Sequence, residues 1–415
     1  MNDRRRPRLA LALLALLAAM LGARSAAADD AAPPAPVAPV APVAPVAPEP
    51  SAPLFADADI LAKPPPLFRL DSVAVRYTRF DQSGTGYQSR AGKPGGPGSE
   101  EMRVEQPQLE VVIKQGAHLT HRVWIPVDVV TAASPDAIDV VSTASRRNEA
   151  ASVDWTATYA KDHTTASIRN GHHEEENYRS WNTGLSGTHA FAEDNTVVSA
   201  GVNVVLDWFD RYLLSGTHSG HNARSSINFN AGLTQLLSPT TVAHVDYGYT
   251  IQEGMLSNGW NIVPTPQGAF QLEKLPAERG RHAFVGRIAQ HLPWSGAVHG
   301  SYRFYVDTFG IVAHTFEIEL HQRLAAFARL RFNYRYHTQT GADFFRTSVP
   351  LDAPILATAD SDLAPLHAHT VGVKGTFDFP VPFARTLHAD LAVERYFRSN
   401  DLRVSVYSCG LGLLF

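Results

Sequence analysis

The sequence predicts an all-β chain closed into a transmembrane antiparallel up-and-down β-barrel of about 16 strands, preceded by a disordered Pro-rich arm. Three observations predict it. First, Tyr407, Cys409, Leu411, Leu413 and the terminal Phe415 alternate with Ser408, Gly410 and Gly412, which describes a last strand with one apolar face. Second, the same period of two recurs along the chain after Leu70. Third, short and long connections between these segments alternate, as short turns at one end of a barrel and long loops at the other require.

The chain opens on a basic stretch, Arg4, Arg5, Arg6 and Arg8, followed by the apolar run Leu9–Leu21 and the small residues Ala26-Ala27-Ala28. That order describes an export signal ending near residue 28, with a hydrophobic run too short to cross a bilayer. The paired arginines raise a twin-arginine alternative, which Pro7 and Arg8 fit poorly. Residues 29–69 are rich in Ala, Pro and Val, with APV repeated from Ala35 to Ala47. Proline at every third position fixes φ and removes donors, so this arm reads as an extended periplasmic spacer.

The barrel is expected over residues 70–415. In Thr196–Trp208 the apolar set is Val198, Ala200, Val202, Val204, Leu206 and Trp208. In Arg224–Leu236 it is Ile227, Phe229, Ala231 and Leu233; in Phe327–Thr338 it is Ala328, Leu330, Phe332, Tyr334 and Tyr336. Polar residues fill the alternate positions. The segments fall near 70–80, 105–114, 118–130, 150–160, 164–170, 178–191, 196–208, 224–236, 240–251, 281–291, 297–307, 311–322, 327–338, 366–379, 386–397 and 402–415. Their lengths suit tilted membrane strands, and an even number brings both ends of the chain to one side. Long connections are expected at Asp81–Val104, Thr131–Glu149, Gln252–Gly280 and Gln339–Pro365. The gaps Thr308–Gly310 and Arg398–Asp401 are shorter than that rhythm asks. Trp155, Trp208 with Phe209, and Trp294 are candidates for interfacial aromatic girdles.

Composition narrows the function classes. The formal charge of −4 and the absence of a basic stretch after the N-terminus give no support for nucleic-acid binding. A mean hydropathy of −0.14 fits a barrel, whose inner face is polar, better than a helical membrane protein. The single cysteine, Cys409, excludes an intrachain disulfide and reads as a small hydrophobe in the apolar register.

The inward set of the late strands is charged. His299, Arg303 and Asp307 share one face of 297–307; Glu317 and Glu319 share one face of 311–322 with Thr315 and His321. Arg329, Arg331 and Arg335 share one face of 327–338, and His388, Asp390 and Glu394 one face of 386–397. These residues are the candidate lumen lining. A turn at 323–326 would set Glu317 and Glu319 opposite or diagonal to Arg329 and Arg331. The alternative is a packed polar network that rigidifies the barrel. Tyr407, Leu411, Leu413 and Phe415 form the candidate membrane-insertion signal. His172-His173-Glu174-Glu175-Glu176 reads as an acidic loop tip rather than a metal site, because consecutive residues cannot all face one ion. No catalytic motif occurs, and no cofactor is expected; His314 at the rim keeps a hydrolase as a remote alternative.

Several stretches, VTAASPDAIDVVSTAS at 130–145, SYRFYVDTFGIVAHTFEIEL at 301–320, FNYRYHTQTGADFF at 332–345 and ERYFRSN at 394–400, resemble a family of Gram-negative outer-membrane β-barrels known as domain-of-unknown-function family 3570. The resemblance covers roughly residues 70–415. It implies an architecture and an outer-membrane location, and no substrate or catalytic residue; the even strand count and the short periplasmic turns put both termini in the periplasm. The expected partners are therefore membrane lipids, the outer-membrane assembly machinery with its periplasmic chaperones, and small solutes or ions in the lumen. A plugged barrel that scaffolds envelope partners is the second expectation.

Overall fold

The computed structural model describes residues 67–84, 102–132, 148–212, 217–257, 261–352 and 354–415. The expected export signal, most of the expected arm, and the greater part of the expected loops 81–104 and 131–149 lie outside the described residues.

Among the described residues there are eighteen strands: β1 Phe68–Gly84, β2 Met102–Gln115, β3 Leu119–Ala132, β4 Asn148–Lys161, β5 Thr164–Glu174, β6 Tyr178–Phe191, β7 Thr196–Tyr212, β8 His218–Ser238, β9 Thr241–Gly254, β10 Ile262–Pro264, β11 Phe270–Leu272, β12 Glu278–Leu292, β13 Gly296–Asp307, β14 Val312–Ala325, β15 Ala328–Gln339, β16 Leu366–Val381, β17 Ala384–Arg398 and β18 Leu402–Leu414. All but β10 and β11 form one closed antiparallel barrel, each strand pairing with its neighbours in sequence and β1 pairing with β18. The 16 strands fall on the 16 expected segments, and most run several residues beyond them. Connections at the end bearing the chain termini are tight, such as Asp162-His163 and Ala192–Asn195. Asp162, Ala192, Glu193 and Asp194 there take positive φ, the backbone that such tight reversals need.

Alternation fixes the two faces. Phe316, Ile318 and Leu320 are exposed on the outside, as are Phe229, Leu233, Phe284, Ile288, Phe332, Leu391, Val393 and Leu411. Side chains exposed in this way on a closed cylinder meet lipid, which gains nothing from polar groups there and supplies no hydrogen bonds to open strand edges.

Closure is reinforced on the inner face. Asp390 of β17, Gly410 of β18 and Arg76 of β1 lie in register across the seam. Arg76 Nη2 donates to Asp390 Oδ2 at 2.8 Å, and Lys374 Nζ of β16 lies 3.1 Å from Oδ1. The pair passes over Gly410: a Cβ at that position would lie 2.6 Å from Asp390 Oδ2. Glycine is therefore required by close approach, and the ion pair lies flat across three strands. With its side chain 2% exposed, Asp390 is wall structure more than lumen surface.

A small folded layer covers part of the opposite, long-loop end. The β10–β11 hairpin and residues 340–365 pack together, with Val263, Val349, Ala357 and Ala359 buried in one cluster. Phe309, Ile311, Ala342, Phe344 and Leu363 form a second. The layer is tied to inward-facing wall residues. The Arg279 guanidinium sits 4.4 Å over the Phe309 ring, Gln339 Nε2 donates to the Asp362 and Ala364 carbonyls, and Arg398 pairs with Asp362 and donates to Ser361 Oγ at 2.8 Å. Asp307 is the central tie: Arg279 Nε donates to it at 2.9 Å, Tyr305 Oη at 2.7 Å, and the amides of Phe309 and Ile311 at 3.0 Å. Burial, then the nearby Asp362 and Glu273 carboxylates, push Asp360 in this layer up to about 6 against the partial relief of Arg398 and its bond from the Asp362 amide.

Two predictions follow from these contacts. Gly410→Leu should strain the seam by about 1–3 kcal/mol and lower the temperature at which the folded band converts to the unfolded one in semi-native electrophoresis. Gly286→Leu, at an outward site with nothing within 4 Å, should leave that temperature unchanged. Because the Asp360 carboxyl is raised from 3.8 to about 6, its protonation favours the folded layer, and the gain is lost as pH rises through about 6. Hydrogen exchange in residues 340–365 should therefore be slower at pH 5 than at pH 7.5 after correction for intrinsic rates, and Asp360→Asn should abolish the difference.

Candidate functional site: the lumen wall

The inner surface is divided by chemistry. Strands β5 to β8 carry mostly small neutral groups inward: Ser186, Gly184 and Asn182 on β6, Ser199, Gly201 and Asn203 on β7, Asn228, Asn230 and Gly232 on β8. Thr250 Oγ1 of β9 donates to Asn228 Oδ1 at 2.7 Å, so these side chains hydrogen-bond along the wall. Ion pairs bound this stretch, Arg169 with Asp154 at 2.8 Å on one side and Arg287 with Asp246 at 2.9 Å on the other; within it, Arg224 holds Asp207 at 2.7 Å near the long-loop end.

The wall from β12 round to β3 is charged. Glu317 stands directly opposite Arg335, whose Nη2 donates to both carboxylate oxygens at 3.2 Å. Arg331 Nη1 reaches diagonally to Glu319 Oε1 at 3.2 Å, and its Nη2 to Glu394 Oε1 at 3.5 Å. Arg329 pairs with Asp378, which also lies 2.7 Å from His388 Nδ1. Arg122 Nε donates to Glu110 at 2.8 Å on the adjoining strands. Each cross-strand pair of this kind contributes about 0.2–1 kcal/mol. Arg303 lies with its guanidinium 5.8 Å from the Tyr305 ring.

The expected pairing of Glu317 and Glu319 with Arg329 and Arg331 needs a correction. The β14–β15 hairpin turns at 326–327, not at 323–326, so Glu317 meets Arg335 and Glu319 stands opposite Asn333. Glu319 keeps its diagonal contact with Arg331, while Arg329 stands opposite Arg323 and turns to Asp378. A shift of the turn slides the whole ladder, because cross-strand partners are fixed by where the hairpin reverses.

Asp307 also differs from an accessible lining group: its side chain is wholly buried beneath the long-loop layer. Arg279 and Arg398, which hold that layer, were hidden from the sequence reading inside segments assigned to loops. Arg76 and Lys374 became visible as partners of Asp390 only through the register across the closing seam. A short apolar patch of Phe80, Val104 and Val404 interrupts the polar lining near the same seam.

The His172–Glu176 segment is not a loop tip throughout. β5 runs to Glu174, so His172 and His173 point to opposite faces. His173 lies 2.7 Å from Ser152 Oγ and 3.1 Å from Glu175, while His172 lies 3.6 Å from Glu174.

At the rim, His314 Nδ1 lies 2.8 Å from the Tyr302 hydroxyl on the outer face. The same contact recurs at Tyr247–His282 and Tyr334–His369, giving a Tyr–His belt toward the long-loop end of β9 to β16. Trp181 and Trp208 continue it, and Trp294, Phe327, Phe379 and Phe383 are exposed at the opposite end. These two rings flank the apolar band as interfacial girdles do. Trp155, by contrast, sits midway along β4, stacked on His121 with centroids 6.0 Å apart.

A closed 16-stranded cylinder, apolar without and polar within, is a transmembrane barrel of the outer-membrane type. Among solved structures, the chain is similar to a bacterial polysaccharide outer membrane secretin (8% identity, 83% of this chain and 98% of that one, TM-score 0.45). It is also similar to a BenF-like porin from Pseudomonas fluorescens Pf-5 (7%, 83% and 99%, TM-score 0.43) and to Pseudomonas aeruginosa OccK1 (7%, 83% and 98%, TM-score 0.41). At these scores the likenesses carry no argument about what the chain does. No curated protein matches it. The family described as "Protein of unknown function (DUF3570)" matches residues 142–410, well over half of the chain, and the chain belongs to that family.

Proposed function

We propose that this barrel stands in the outer membrane of a Gram-negative bacterium, with its termini in the periplasm, and passes or binds small charged solutes or ions through its lumen. The observation that carries the reading is the division of the inner surface. A wall carrying most of the Arg, His, Glu and Asp pairs faces a wall of Ser, Asn and Gly, so a charged solute would meet fixed charge on one side and a small-residue, hydrogen-bonding surface on the other. Sixteen strands leave room for an aqueous path. The ties of the long-loop layer named above lie on β12, β13, β15 and β17, one side of the mouth. The termini are assigned to the periplasm because the tight turns lie at their end. Lipid would contact the outer band. The outward Tyr407, Leu411 and Leu413 of β18, with Phe415 just beyond it, would be offered to the assembly machinery.

The buried apolar core of the long-loop layer supports a second reading, a barrel closed by its own loops that holds envelope partners. Planar-bilayer recording separates the two. The first predicts steady single-channel currents. Replacing Arg329, Arg331 and Arg335 by Ala leaves Glu317, Glu319 and Glu394 without those cations and should shift the reversal potential in a salt gradient toward cation selectivity. The absence of currents favours the closed barrel, and currents with unchanged selectivity remove these arginines from the conduction path.

A further inference from the structure

One cluster on the charged wall has the makings of more than an ion pair. His299 of β13 stands directly opposite Glu319 of β14, and His321 is the next inward residue of β14 after Glu319. Each of the three offers one ligand atom, and these atoms all lie within 4.8 Å of one another. Oε2 lies 2.9 Å from the His321 nitrogen and 3.6 Å from the His299 nitrogen. The two imidazole rings lie with centroids 4.3 Å apart. A tetrahedral metal bound at about 2.0–2.2 Å to each ligand would hold neighbouring ligand atoms about 3.3–3.6 Å apart; the His299 spacing already matches this, and the His321 nitrogen, now hydrogen-bonded to Oε2, would have to move outward by about half an ångström.

The carboxylate is also oriented from behind. Arg331 donates to Oε1, the oxygen turned away from the histidines, and is balanced by Glu394 on its other side. That contact fixes the plane of Glu319 and leaves Oε2 for the cluster, as outer-shell partners do at metal sites. The His299 and His321 side chains are 43% and 37% exposed, so solvent reaches the cluster from the lumen and coordination positions stay open. Two imidazoles and one carboxylate suit borderline divalent cations such as Zn²⁺, Co²⁺ or Ni²⁺, and disfavour Ca²⁺ and Mg²⁺, which take oxygen ligands.

We propose that His299, Glu319 and His321 form a binding site for a divalent transition-metal cation on the lumen wall, in the half of the barrel nearer the chain termini. This deepens the solute-passing reading, on which its physiological sense rests, by naming the substrate class; the binding itself does not need the barrel to conduct. With three protein ligands and open positions, the ion would enter and leave by exchanging water.

The test uses the full-length barrel, without a polyhistidine tag, refolded in detergent. A second His–carboxylate group, Asp210 with His218 and His221, lies at the long-loop end of β7 and β8. Titrations are therefore made in a His218→Ala/His221→Ala background. Co²⁺ should give visible ligand-field absorption, displaced by Zn²⁺ and not by Ca²⁺. Adding His299→Ala/His321→Ala should weaken Co²⁺ binding at least about tenfold, and Glu319→Gln should weaken it while keeping the heat-modifiable folded band. Equal Co²⁺ binding with and without His299 and His321 in folded protein overturns the site and leaves the conduction reading untouched. Absence of channel currents alongside ligand-dependent Co²⁺ binding overturns the conduction reading and leaves the site standing.

Discussion

Pairing of β1 with β18 is the constraint on which the rest of the structure depends. In hydrocarbon a free strand edge leaves backbone donors and acceptors without partners, at a cost of several kcal/mol for each group. The sheet therefore has to return on itself, and every barrel strand is fixed between two others. Once closed, the cylinder assigns each residue a side by parity alone. Phe316 and Ile318 face lipid; Glu317 and Glu319, one residue away, face the lumen. The seam is held by thirteen residue pairs from Ser72–Leu414 to Gly84–Leu402, with the Arg76–Asp390 ion pair laid across it from within.

Inward glycines shape how the charges sit. Gly410 allows Asp390 to lie under Arg76, and Gly372 occupies the same kind of position between Asn333 and Glu394, where a Cβ would meet Asn333 Oδ1 at 2.4 Å. Long polar side chains can then lie along the wall instead of projecting across the lumen. The charged network is thereby stiffening: it ties β15, β16, β17 and β1 together and passes over β18 at Gly410. Packing of that kind makes the structural role of Arg331 and Glu394 and the solute-facing role proposed for them two aspects of one arrangement.

Most of the barrel was legible in the sequence because closure imposes a period of two that composition cannot hide. The alternation in Thr196–Trp208 and Phe327–Thr338 marks β7 and β15 directly, and the terminal Tyr407-to-Phe415 pattern marks β18. Register was less legible. The β14–β15 turn lies a residue or two beyond its expected place, which moves Glu317 from the expected Arg329–Arg331 pair onto Arg335. Period two survives such a slide when it moves whole residue pairs, so the facing of the residues was readable while their partners were not. The long-loop layer was unreadable for another reason. Val263, Phe309, Phe344 and Leu363 are scattered over three connections without periodicity, and only folding brings them into one place. The His299–Glu319–His321 group was half visible: the parity of each residue placed it inward, and the β13–β14 register brought His299 onto Glu319.

A single closed wall separates lipid from lumen at every second residue. That separation is tested most directly by nitroxide labels placed singly at residues 316 to 321 of β14, in a Cys409→Ser background reconstituted into lipid vesicles, with power saturation in oxygen and in a water-soluble nickel chelate. The account predicts strict alternation, with 316, 318 and 320 favouring oxygen and 317, 319 and 321 favouring the nickel chelate. Accessibility to the nickel chelate at all six positions, or at none, would contradict it.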